Sequence, residues 1–331
     1  MSEFLWKLKG VELPGHHRPR LSDVTLDIQT GSTAILGYSG AGKTSLLHIL
    51  AGMEHGYRGQ LQQQSNPGHL ACVPLFWVPQ DFGLWPGLSA AEHLLAVIPG
   101  DADSGLQAWL SEQNVAPAGS VVDKILQIFD LSDRQQATVD QLSRGEQARL
   151  SVARSLAARP AVLLMDEPLA HVDPVRRPKY WRIIQSFLRT TETSLVFSTH
   201  QPETALKESQ QVLCLNQGRV IYMGATDRLY HSPPTAEAGS FLGPVNWFES
   251  DQAAVWLGCE QDTVLRPEQL QLTEDPDGPF EVLSFQFGGS YSETELRSVS
   301  DTTTTTSASR QIVHQSGPSP LQVGQRVQLQ W

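Results

Sequence analysis

The sequence predicts an α/β fold with a parallel sheet, followed by a small all-β domain. Two short apolar segments, AVLLMDEP and SLVFSTH, each predict a buried strand, and helical segments separate them along the chain. Beyond the stretch HSPPTAEAGS the chain becomes rich in strand patterns and poor in helix patterns. Of its 331 residues, 40 % are hydrophobic and 18 % are charged, which is typical of a globular protein with a proper core.

The first elements are strands and a helix on either side of a glycine-rich loop. Apolar and polar residues alternate in FLWKL, residues 4–8, and in VTLDI, residues 24–28, which predicts two half-buried strands. After Gly31 the apolar segment STAIL leads directly into Gly37. The segment TSLLHILAGM, which follows Lys43, has the apolar spacing of a helix. The loop GYSGAGKTS therefore joins a strand to a helix.

The middle of the chain is mainly helical, and its end is mainly strand. We expect a first domain at residues 1–235, with a helical subdomain at about 88–158, and a second domain at 240–331. In the first domain, QVLCLNQGRVIYMG predicts a hairpin with NQG as its turn. The second domain fits a small β-barrel, in which the polar segment DTTTTTSAS, starting at Asp301, is expected to form a long hairpin loop.

Composition restricts the cellular compartment and the classes of binding partner that fit this chain. The formal net charge of −11 argues against nucleic acid as a partner, because nucleic-acid-binding domains usually have a basic face. The three cysteines are far apart and form no CxxC pair, which favours a reducing compartment. No apolar run approaches the ~18–20 residues that span a bilayer, and the first residues lack a signal-peptide pattern. If the protein works at a membrane, other chains must therefore bring it there.

The loop GYSGAGKTS, called the glycine loop below, fits the pattern G-x-x-x-x-G-K-[ST]. Its glycines let backbone N–H groups point at phosphate oxygens, and the positive end of the next helix faces the same anion. Lys43 supplies charge to the β- and γ-phosphates, and Thr44 offers a hydroxyl to Mg²⁺. A chance glycine-rich turn is disfavoured because a strand precedes the loop and a helix follows it. The predicted nucleotide contacts are Gly37, Tyr38, Ser39, Gly40, Ala41, Gly42, Lys43, Thr44 and Ser45.

Two acidic residues, Asp166 and Glu167, stand at the exit of the predicted strand AVLLMDEP. Asp166 is placed to hold the Mg²⁺ shell, and Glu167 is placed to polarise an attacking water as a general base. An acidic pair at a strand end is common in proteins. The catalytic interpretation therefore depends on the glycine loop in the same chain.

The segment LSRGEQARLSVARSLA predicts a helix that begins at Ser143. Ser143 and Glu146 have the S-x-x-E spacing of a capping box. The exposed N–H groups at such a helix start form a second phosphate-binding surface. Two such surfaces of one chain would block each other at a single γ-phosphate, whereas two copies arranged head to tail can enclose two nucleotides between them. An ordinary capped helix remains the alternative for this segment alone.

With these motifs, the sequence resembles the ATP-binding cassette (ABC) ATPases over about residues 1–235. The glycine loop stands where that family has Walker A, MDE where it has Walker B, and LSRGE where it has the signature. Gln80 resembles the Q-loop glutamine, Asp173 resembles the D-loop aspartate, and His200 resembles the switch histidine. The resemblance implies ATP as substrate and Mg²⁺ as cofactor. It also implies catalytic roles for Glu167, His200 and Lys43, metal contacts for Thr44, Gln80 and Asp166, ATP contact for Gln80, and contacts to the opposing subunit's nucleotide for Ser143, Arg144, Gly145 and Glu146.

The sequence departs from the family pattern in two places. Arg144 replaces the first glycine of the signature pair, so its bulk crowds the phosphate or its charge assists it. The stretch LPGHHRPR lacks the aromatic residue that the family stacks on adenine. We expect His16 or His17 to stack instead, with modest affinity and loose base selectivity. A metal site at these histidines is less favoured than a solvated loop.

The last third of the chain indicates a role in import. LYHSPPTAEAGSFLGPVNWF resembles the linker of binding-protein-dependent importers for iron(III), polyamines, sulfate and molybdate, and VLRPEQLQL resembles part of their oligonucleotide-fold-like (OB-like) TOBE domain. The resemblance implies a homodimer at the cytoplasmic side of the inner membrane, with integral-membrane permease subunits and, indirectly, a solute-binding protein. Iron(III) is the expected solute. An unrelated β domain, a non-transport ABC-type ATPase and a regulatory nucleotide-binding module remain alternatives.

The segment after Gln80, DFGLWPGLSAAEHL, is expected to line a groove for a coupling helix of the permease. Phe82, Leu84 and Trp85 would then present an exposed apolar surface. The same three residues are equally compatible with a place in the core.

Overall fold

The structure is a computed structural model, and contacts between residues divide the chain into two units, Met1–Thr226 and Asp227–Trp331. This division falls before the predicted domain end at residue 235. The expected hairpin loop starting at Asp301 lies outside the described residues. The structure describes residues 4–64, 71–99, 104–113, 115, 119–299, 310–318 and 321–331.

Strands of the first unit form two sheets, and the larger one is mostly parallel. The strands are β1 (Phe4–Leu13), β2 (Leu21–Gln29), β3 (Ser32–Leu36), β4 (Arg58–Gln63), β5 (Val73–Val78), β6 (Pro160–Asp166), β7 (Ser194–Thr199), β8 (Gln211–Asn216) and β9 (Arg219–Ala225). The larger sheet has the order β5-β6-β7-β3-β8-β9, in which only β9 runs antiparallel to its neighbour. The smaller sheet is antiparallel, with the order β2-β1-β4.

The helices of the first unit include the predicted helical subdomain between β5 and β6. They are α1 (Lys43–Leu50), α2 (Ala90–Leu95), α3 (Ser104–Glu112), α4 (Val121–Ile128), α5 (Arg144–Ala157), α6 (Arg177–Thr191) and α7 (Pro202–Glu208). Capping boxes begin α2, α4 and α5, with a serine at each N-cap and an acidic residue three positions later. Each box satisfies backbone N–H groups that the first helical turn leaves unpaired. None of the described helices combines the length and apolar character needed to span a bilayer.

The core of the first unit packs α1 against both sheets. Every residue of β3, β6 and β7 is buried, which explains why these segments are apolar without alternation. The smaller sheet buries one face, and its inward residues pack in the same cluster as the apolar residues of α1. Burial of Leu47, which is fully enclosed, contributes about 1.5–3 kcal/mol. This packing fixes the start of α1, and therefore the glycine loop, relative to the strand ends.

The second unit is built around a five-stranded antiparallel sheet with the order β12-β16-β13-β14-β15. The backbone N–H of Leu272 in β12 donates a hydrogen bond of 2.8 Å to Oε1 of Gln315 in β15. The sheet therefore curls until its two edge strands meet. The elements are α8 (Thr226–His231), α9 (Ala236–Ser240), β10 (Asn246–Phe248), α10 (Ser250–Trp256), β11 (Thr263–Leu265), β12 (Gln271–Glu274), β13 (Phe280–Phe287), β14 (Tyr291–Ser298), β15 (Arg310–Ser316) and β16 (Arg326–Gln330).

Arg266 explains why the second unit begins so early. Its side chain is 1 % exposed, and its guanidinium lies 4.3 Å from the ring centre of Tyr230. Such a cation–π contact, together with several hydrogen bonds, ties α8 and α9 to the sheet. The guanidinium donates to the backbone oxygens of Leu229, Tyr230, Gly239, Gly243 and Pro244.

Candidate nucleotide site

The predicted site residues meet at one edge of the larger sheet. The strands β5, β6, β7 and β3 are neighbours and run parallel, so their carboxyl ends lie side by side. Gly37 follows β3 directly, Asp166 ends β6, and Glu167 and His200 come immediately after β6 and β7. Gln80 is exposed and lies two residues beyond β5. Residues more than a hundred positions apart in sequence are thus brought to one edge.

The glycine loop wraps tightly around the start of α1. Lys43 is only 8 % exposed, and its Nζ donates a hydrogen bond of 2.8 Å to the backbone oxygen of Gly37. A β-carbon on Gly37 would lie 2.7 Å from the backbone oxygen of Leu215. A β-carbon on Gly42, which has a φ of 107°, would lie 2.6 Å from the backbone oxygen of Arg20. Any larger residue at either glycine would therefore push the loop away from its neighbours.

Thr44 and Asp166 bring together two oxygen atoms that suit coordination of a magnesium ion. The Thr44 hydroxyl donates a hydrogen bond of 2.6 Å to Oδ2 of Asp166, which is 2 % exposed. The Ser198 hydroxyl donates to Oδ1 of the same carboxylate. Hydroxyl and carboxylate oxygens are ligands that Mg²⁺ accepts, and it usually completes its shell with water and phosphate. Among the described residues no cluster of three His, Cys, Asp or Glu side chains forms a metal site by itself.

Glu167 occupies a left-handed backbone conformation beside two basic side chains. Its φ is 49°, and its backbone N–H donates a hydrogen bond of 3.0 Å to the Ser198 hydroxyl. Its Oε1 lies 3.9 Å from Nζ of Lys43 and 3.2 Å from Nδ1 of His200. Glu167 and His200 also line a cavity of about 20 Å³, which is large enough for one water molecule. Strained backbone of this kind is often found at functional sites.

A cleft of about 230 Å³ opens beside the glycine loop, and two arginines line it. Its walls are Arg18, Pro19, Arg20 and the loop residues Gly40–Ser45. His16 and His17 are exposed and do not line this cleft. Sequence reasoning emphasised the histidines of LPGHHRPR and missed the arginines. The signal that could have found them is the basic charge of the same stretch, so close to a phosphate-binding pattern in an acidic chain.

The signature segment, Ser143–Glu146, begins α5 as predicted. The Ser143 hydroxyl accepts from the Glu146 N–H, and the Glu146 carboxylate accepts from the N–H and hydroxyl of Ser143. Burial would raise the pKa of Glu146, but the hydrogen bonds from Ser143 and from Arg134 hold it below its usual value. Ser143 and Arg144 are exposed, and the segment lines neither cavity described above. Asp173 is also exposed, and its carboxylate accepts from a backbone N–H two residues later.

Phe82 brings three of the predicted motifs together. It is 4 % exposed, with a φ of 72°, and the guanidinium carbon of Arg144 lies 5.0 Å from its ring centre. The His171 ring contacts it edge-on at 5.5 Å, and the Ser151 hydroxyl donates to its backbone oxygen. A β-carbon on Gly145 would lie 3.1 Å from the backbone oxygen of His171. The interpretation of Phe82 as an exposed partner surface is therefore wrong, and Arg144 packs on a ring of its own chain.

Trp85 keeps a partly exposed face near the same place, while Leu84 is half-buried. Trp85 is 47 % exposed, and its ring stacks 5.8 Å from that of the fully buried His93. Nδ1 of His93 donates to the Ser89 backbone oxygen, and its Nε2 accepts from the Trp85 N–H. These bonds define a neutral imidazole, and burial lowers the pKa of His93 in the same sense. The guanidinium carbon of Arg154 lies 4.9 Å from the centre of the Trp85 ring.

Asp130, just after α4, joins the helical subdomain to α6. Its carboxylate accepts hydrogen bonds of 2.6 Å from Lys179, 2.8 Å from the Tyr180 hydroxyl and 2.8 Å from Arg176. Burial alone would raise the pKa of Asp130, but the hydrogen bonds and charges of these partners hold it below its usual value. The backbone oxygen of Asp130 also accepts from Arg149 of α5. A network of charges therefore connects the signature helix to the helix that follows the D-loop.

Comparison with known proteins gives the family of the chain. The sequence profile described as ABC transporter matches residues 21–170. A sulfate/thiosulfate import ATP-binding protein, CysA, from Halalkalibacterium halodurans is 33 % identical over 235 residues, covering 69 % of this chain and 63 % of the relative. An Fe(3+) ions import ATP-binding protein, FbpC, from Yersinia enterocolitica is 30 % identical over 279 residues, covering 77 % of this chain and 76 % of the relative. The chain belongs to the ABC transporter ATP-binding family.

The fold agrees with this family. A solved dimeric ATP-binding cassette, bound to ADP and Pi in a post-hydrolysis state, superposes with a TM-score of 0.53 at 22 % identity. The superposition covers 67 % of this chain and 99 % of the solved chain, so the matched part is about one cassette in size. The predicted ABC-type ATPase and its α/β cassette followed by a β domain are confirmed at the level of family and fold. The roles of individual site residues, the TOBE identity of the second unit and the domain limits 1–235 and 240–331 stay predictions.

Proposed function

We propose that this ABC ATPase is the ATP-hydrolysing subunit of a binding-protein-dependent importer. One observation carries the catalytic part of the proposal. Lys43, Thr44, Asp166 and Glu167 meet at one sheet edge, where each lies within hydrogen-bond or ion-pair distance of another. This group combines a cation for phosphates, oxygen ligands for a metal and a carboxylate for a water, and those are the parts that phosphoryl transfer to water requires.

The glycine loop would hold the triphosphate. Backbone N–H groups of Gly40–Thr44 surround the phosphate oxygens, the start of α1 adds its positive dipole end, and Lys43 neutralises charge on the β- and γ-phosphates. Thr44, Asp166 and Gln80 are the residues that would hold Mg²⁺, which neutralises phosphate charge when it is bound. The pairing of the Thr44 hydroxyl with the Asp166 carboxylate supports this assignment because it already brings two oxygen ligands together.

Glu167 would act as the general base. Its carboxylate takes a proton from the water that attacks the γ-phosphorus, while the bond from that phosphorus to the bridging oxygen of ADP breaks. His200, whose Nδ1 lies 3.2 Å from Oε1 of Glu167, orients this carboxylate and contacts oxygens of the γ-phosphate. The left-handed backbone of Glu167 and its bond to Ser198 hold the carboxylate at the strand end. Orientation of this kind lowers the barrier because little reorganisation remains for the reaction itself.

Closure of the site would require a second copy of the chain. Ser143 and Arg144 are exposed and the signature segment lines neither cavity, so the start of α5 is accessible to the nucleotide of an opposing subunit. A homodimer arranged head to tail would place Ser143–Glu146 of one subunit over the glycine loop of the other. The D-loop residue Asp173, also exposed, is expected at the same seam.

Import is supported by the names of the relatives and by the sequence of the second unit. The relatives are named as import ATP-binding proteins for sulfate/thiosulfate or Fe(3+), so iron(III) is not favoured over sulfate. The chain covers only 63 % of the CysA relative, so activity, solute and partners of the whole protein are all part of the proposal. The partners would be integral-membrane permease subunits at the cytoplasmic side of the membrane and, through them, a solute-binding protein.

Two measurements on the purified chain test the proposal. Phosphate release from ATP should depend on Mg²⁺, stop with EDTA and stop in Lys43→Ala, which loses the phosphate cation. Co-purification of the tagged chain from its host should then recover integral-membrane permease chains. Mg²⁺-independent turnover, or undiminished turnover in Lys43→Ala, would contradict the catalytic part, and capture of nucleic-acid repair or ribosomal factors instead would contradict the import part.

A further inference from the structure

We propose that Arg18 contacts the phosphate chain of the bound nucleotide, as a second cation beside Lys43. This inference rests on the proposed binding of a nucleoside triphosphate at the glycine loop, and it adds a residue that the motifs do not include. It also reassigns the stretch LPGHHRPR, whose family counterpart stacks on the base, to recognition of phosphate.

The loop that carries Arg18 is fixed at its base. The backbone N–H of Arg20 donates a hydrogen bond of 2.8 Å to the backbone oxygen of Leu13, which closes the loop between β1 and β2. A β-carbon on Gly15 would lie 2.2 Å from the backbone oxygen of Arg18, so the glycine lets the loop turn back tightly. Just after the loop, the backbone N–H of Ser22 donates a hydrogen bond of 2.8 Å to the backbone oxygen of Gly218. These contacts hold the loop beside the glycine loop.

The turn at Gly218 links the two loops directly. Its backbone N–H donates a hydrogen bond of 2.9 Å to the backbone oxygen of Ala41, which belongs to the glycine loop. A β-carbon on Gly218 would lie 2.8 Å from the backbone oxygen of Arg20. Residues 18–20 and the glycine loop therefore share one close-packed backbone contact. This contact fixes the position of the Arg18 backbone relative to phosphates that bind at the glycine loop.

The two arginines of the cleft have different surroundings. Arg20 is already engaged, because its guanidinium donates to Glu54 at 2.8 Å and to the backbone oxygen of Pro14 at 3.2 Å. The guanidinium Nη2 of Arg18 instead reaches the glycine loop, 3.5 Å from the position that a β-carbon on Gly40 would occupy. Arg18 lines the same cleft as Lys43. The structure thus places one guanidinium over the phosphate-binding backbone and the other against a carboxylate.

The chemistry of this position favours phosphate over base. A guanidinium presents several N–H donors in one plane and binds phosphate oxygens in pairs, which a histidine ring cannot do. The protein as a whole is acidic, with a net charge of −11, so cations at this cleft give the triphosphate a local attraction that the rest of the surface lacks. Affinity that arises from contacts to the phosphates does not depend on which base the nucleotide carries. We therefore expect ATP and GTP to bind with similar affinity.

Calorimetric titration of the full-length protein with ATP, GTP and inorganic tripolyphosphate tests this assignment. Arg18→Ala should weaken all three by a similar factor, about tenfold, since one charge-assisted contact to phosphate is lost. Arg18→Lys should restore part of the affinity, and raising the salt concentration should reduce the difference between wild type and Arg18→Ala. Arg58→Ala is the matched control, because it removes an exposed arginine outside the cleft, and it should bind all three ligands like wild type.

The outcomes separate this inference from the proposed function. Unchanged binding in Arg18→Ala, or a loss for ATP and GTP that spares tripolyphosphate, would overturn the phosphate contact, and the second result would assign Arg18 to the base. A wild-type protein that binds none of the three ligands would instead contradict the proposed nucleotide site itself. Lys43→Ala serves as the positive control for loss of binding, and thermal melting verifies that each variant is folded.

Discussion

The carboxyl edge of the larger sheet and the start of α5 are the two proposed phosphate-binding surfaces, but they are built differently. At the sheet edge, Lys43 and Asp166 are almost fully buried and the site residues bond to one another. At α5, Ser143 and Arg144 are exposed, and their contacts go to their own helix or to Phe82. This difference fits the proposed homodimer, in which the sheet edge of one chain would hold the nucleotide and the start of α5 of a second chain would complete the contact.

Removal of the proposed general base should have the largest effect, and it changes the sheet edge alone. Glu167→Gln keeps the size of the side chain and removes its proton affinity. We expect kcat for ATP hydrolysis to fall by about 10²–10⁴-fold, which is the usual contribution of a positioned general base. Nucleotide binding should persist, so calorimetry with Mg·ATP is the control. Turnover close to that of wild type would remove Glu167 from the mechanism.

Trp85 tests the outer face of the helical subdomain. Because the indole is 47 % exposed, Trp85→Ala should leave the basal ATPase intact but weaken docking of the permease. A truncated aromatic at the centre of an interface costs about 2 kcal/mol, or ~30-fold in affinity. The measurements are transport by the reconstituted complex and ATPase of the isolated chain. Unfolding of the variant, or equal losses of both activities, would indicate that the side chain serves the core instead.

Asp130 tests the connection between the helical subdomain, which carries the start of α5, and α6. Asp130→Asn keeps the shape but loses the charge that three donors share, which should cost about 1–2 kcal/mol in urea unfolding at pH 7. Because the pKa of Asp130 is depressed in the folded state, this stabilisation is complete above the ordinary aspartate pKa of about 4. It is lost as the pH falls through the lower, folded-state pKa.

The pH profile provides the control for Asp130. The stability difference between wild type and Asp130→Asn should therefore remain constant from neutral pH to about pH 4 and shrink below it. A difference that already shrinks between pH 7 and pH 5 would point to a different titrating group. Asp130→Asn should lower the free energy of unfolding more than it raises the barrier to ATP hydrolysis, because Asp130 lies outside the nucleotide site.

The contact between Arg144 and Phe82 should give the smallest effect. A double-mutant cycle with Arg144→Ala and Phe82→Leu should report a coupling of about 0.5–1 kcal/mol in unfolding free energy, as expected for a partly exposed cation–π pair. If the two losses of unfolding free energy simply add, the Arg144 guanidinium gains no stabilisation from the Phe82 ring. The same cycle with Arg134→Ala in place of Arg144→Ala, which removes an ion pair to Glu146, should be additive.

Local patterns in the sequence were sufficient for the parts of the fold that local physics decides. The segments of β3, β6 and β7 contain unbroken apolar runs because they are buried on both faces, and these runs marked them as strands. The start of α5 was predictable because a capping box involves only residues three positions apart. Family resemblance then supplied the expectation that these motifs serve one nucleotide site.

The remaining features depend on contacts between distant residues. Phe82 is buried because Arg144, His171 and Ser151 converge on it, and no pattern around position 82 encodes that convergence. Arg18 reaches the glycine loop because the turn at Gly218 ties two loops together. The first unit ends early for the same kind of reason, since one buried arginine of the second unit binds the carbonyls of α8 and α9.

Light scattering of Glu167→Gln with Mg·ATP tests the central claim most directly, because this variant is expected to bind nucleotide without hydrolysing it. The scattering mass should change from that of one chain to that of two when Mg·ATP is added. Glu167→Gln combined with Ser143→Arg, which blocks the start of α5, should stay at the mass of one chain. A single-chain mass for Glu167→Gln in Mg·ATP, or equal dimerisation of both variants, would contradict the shared site.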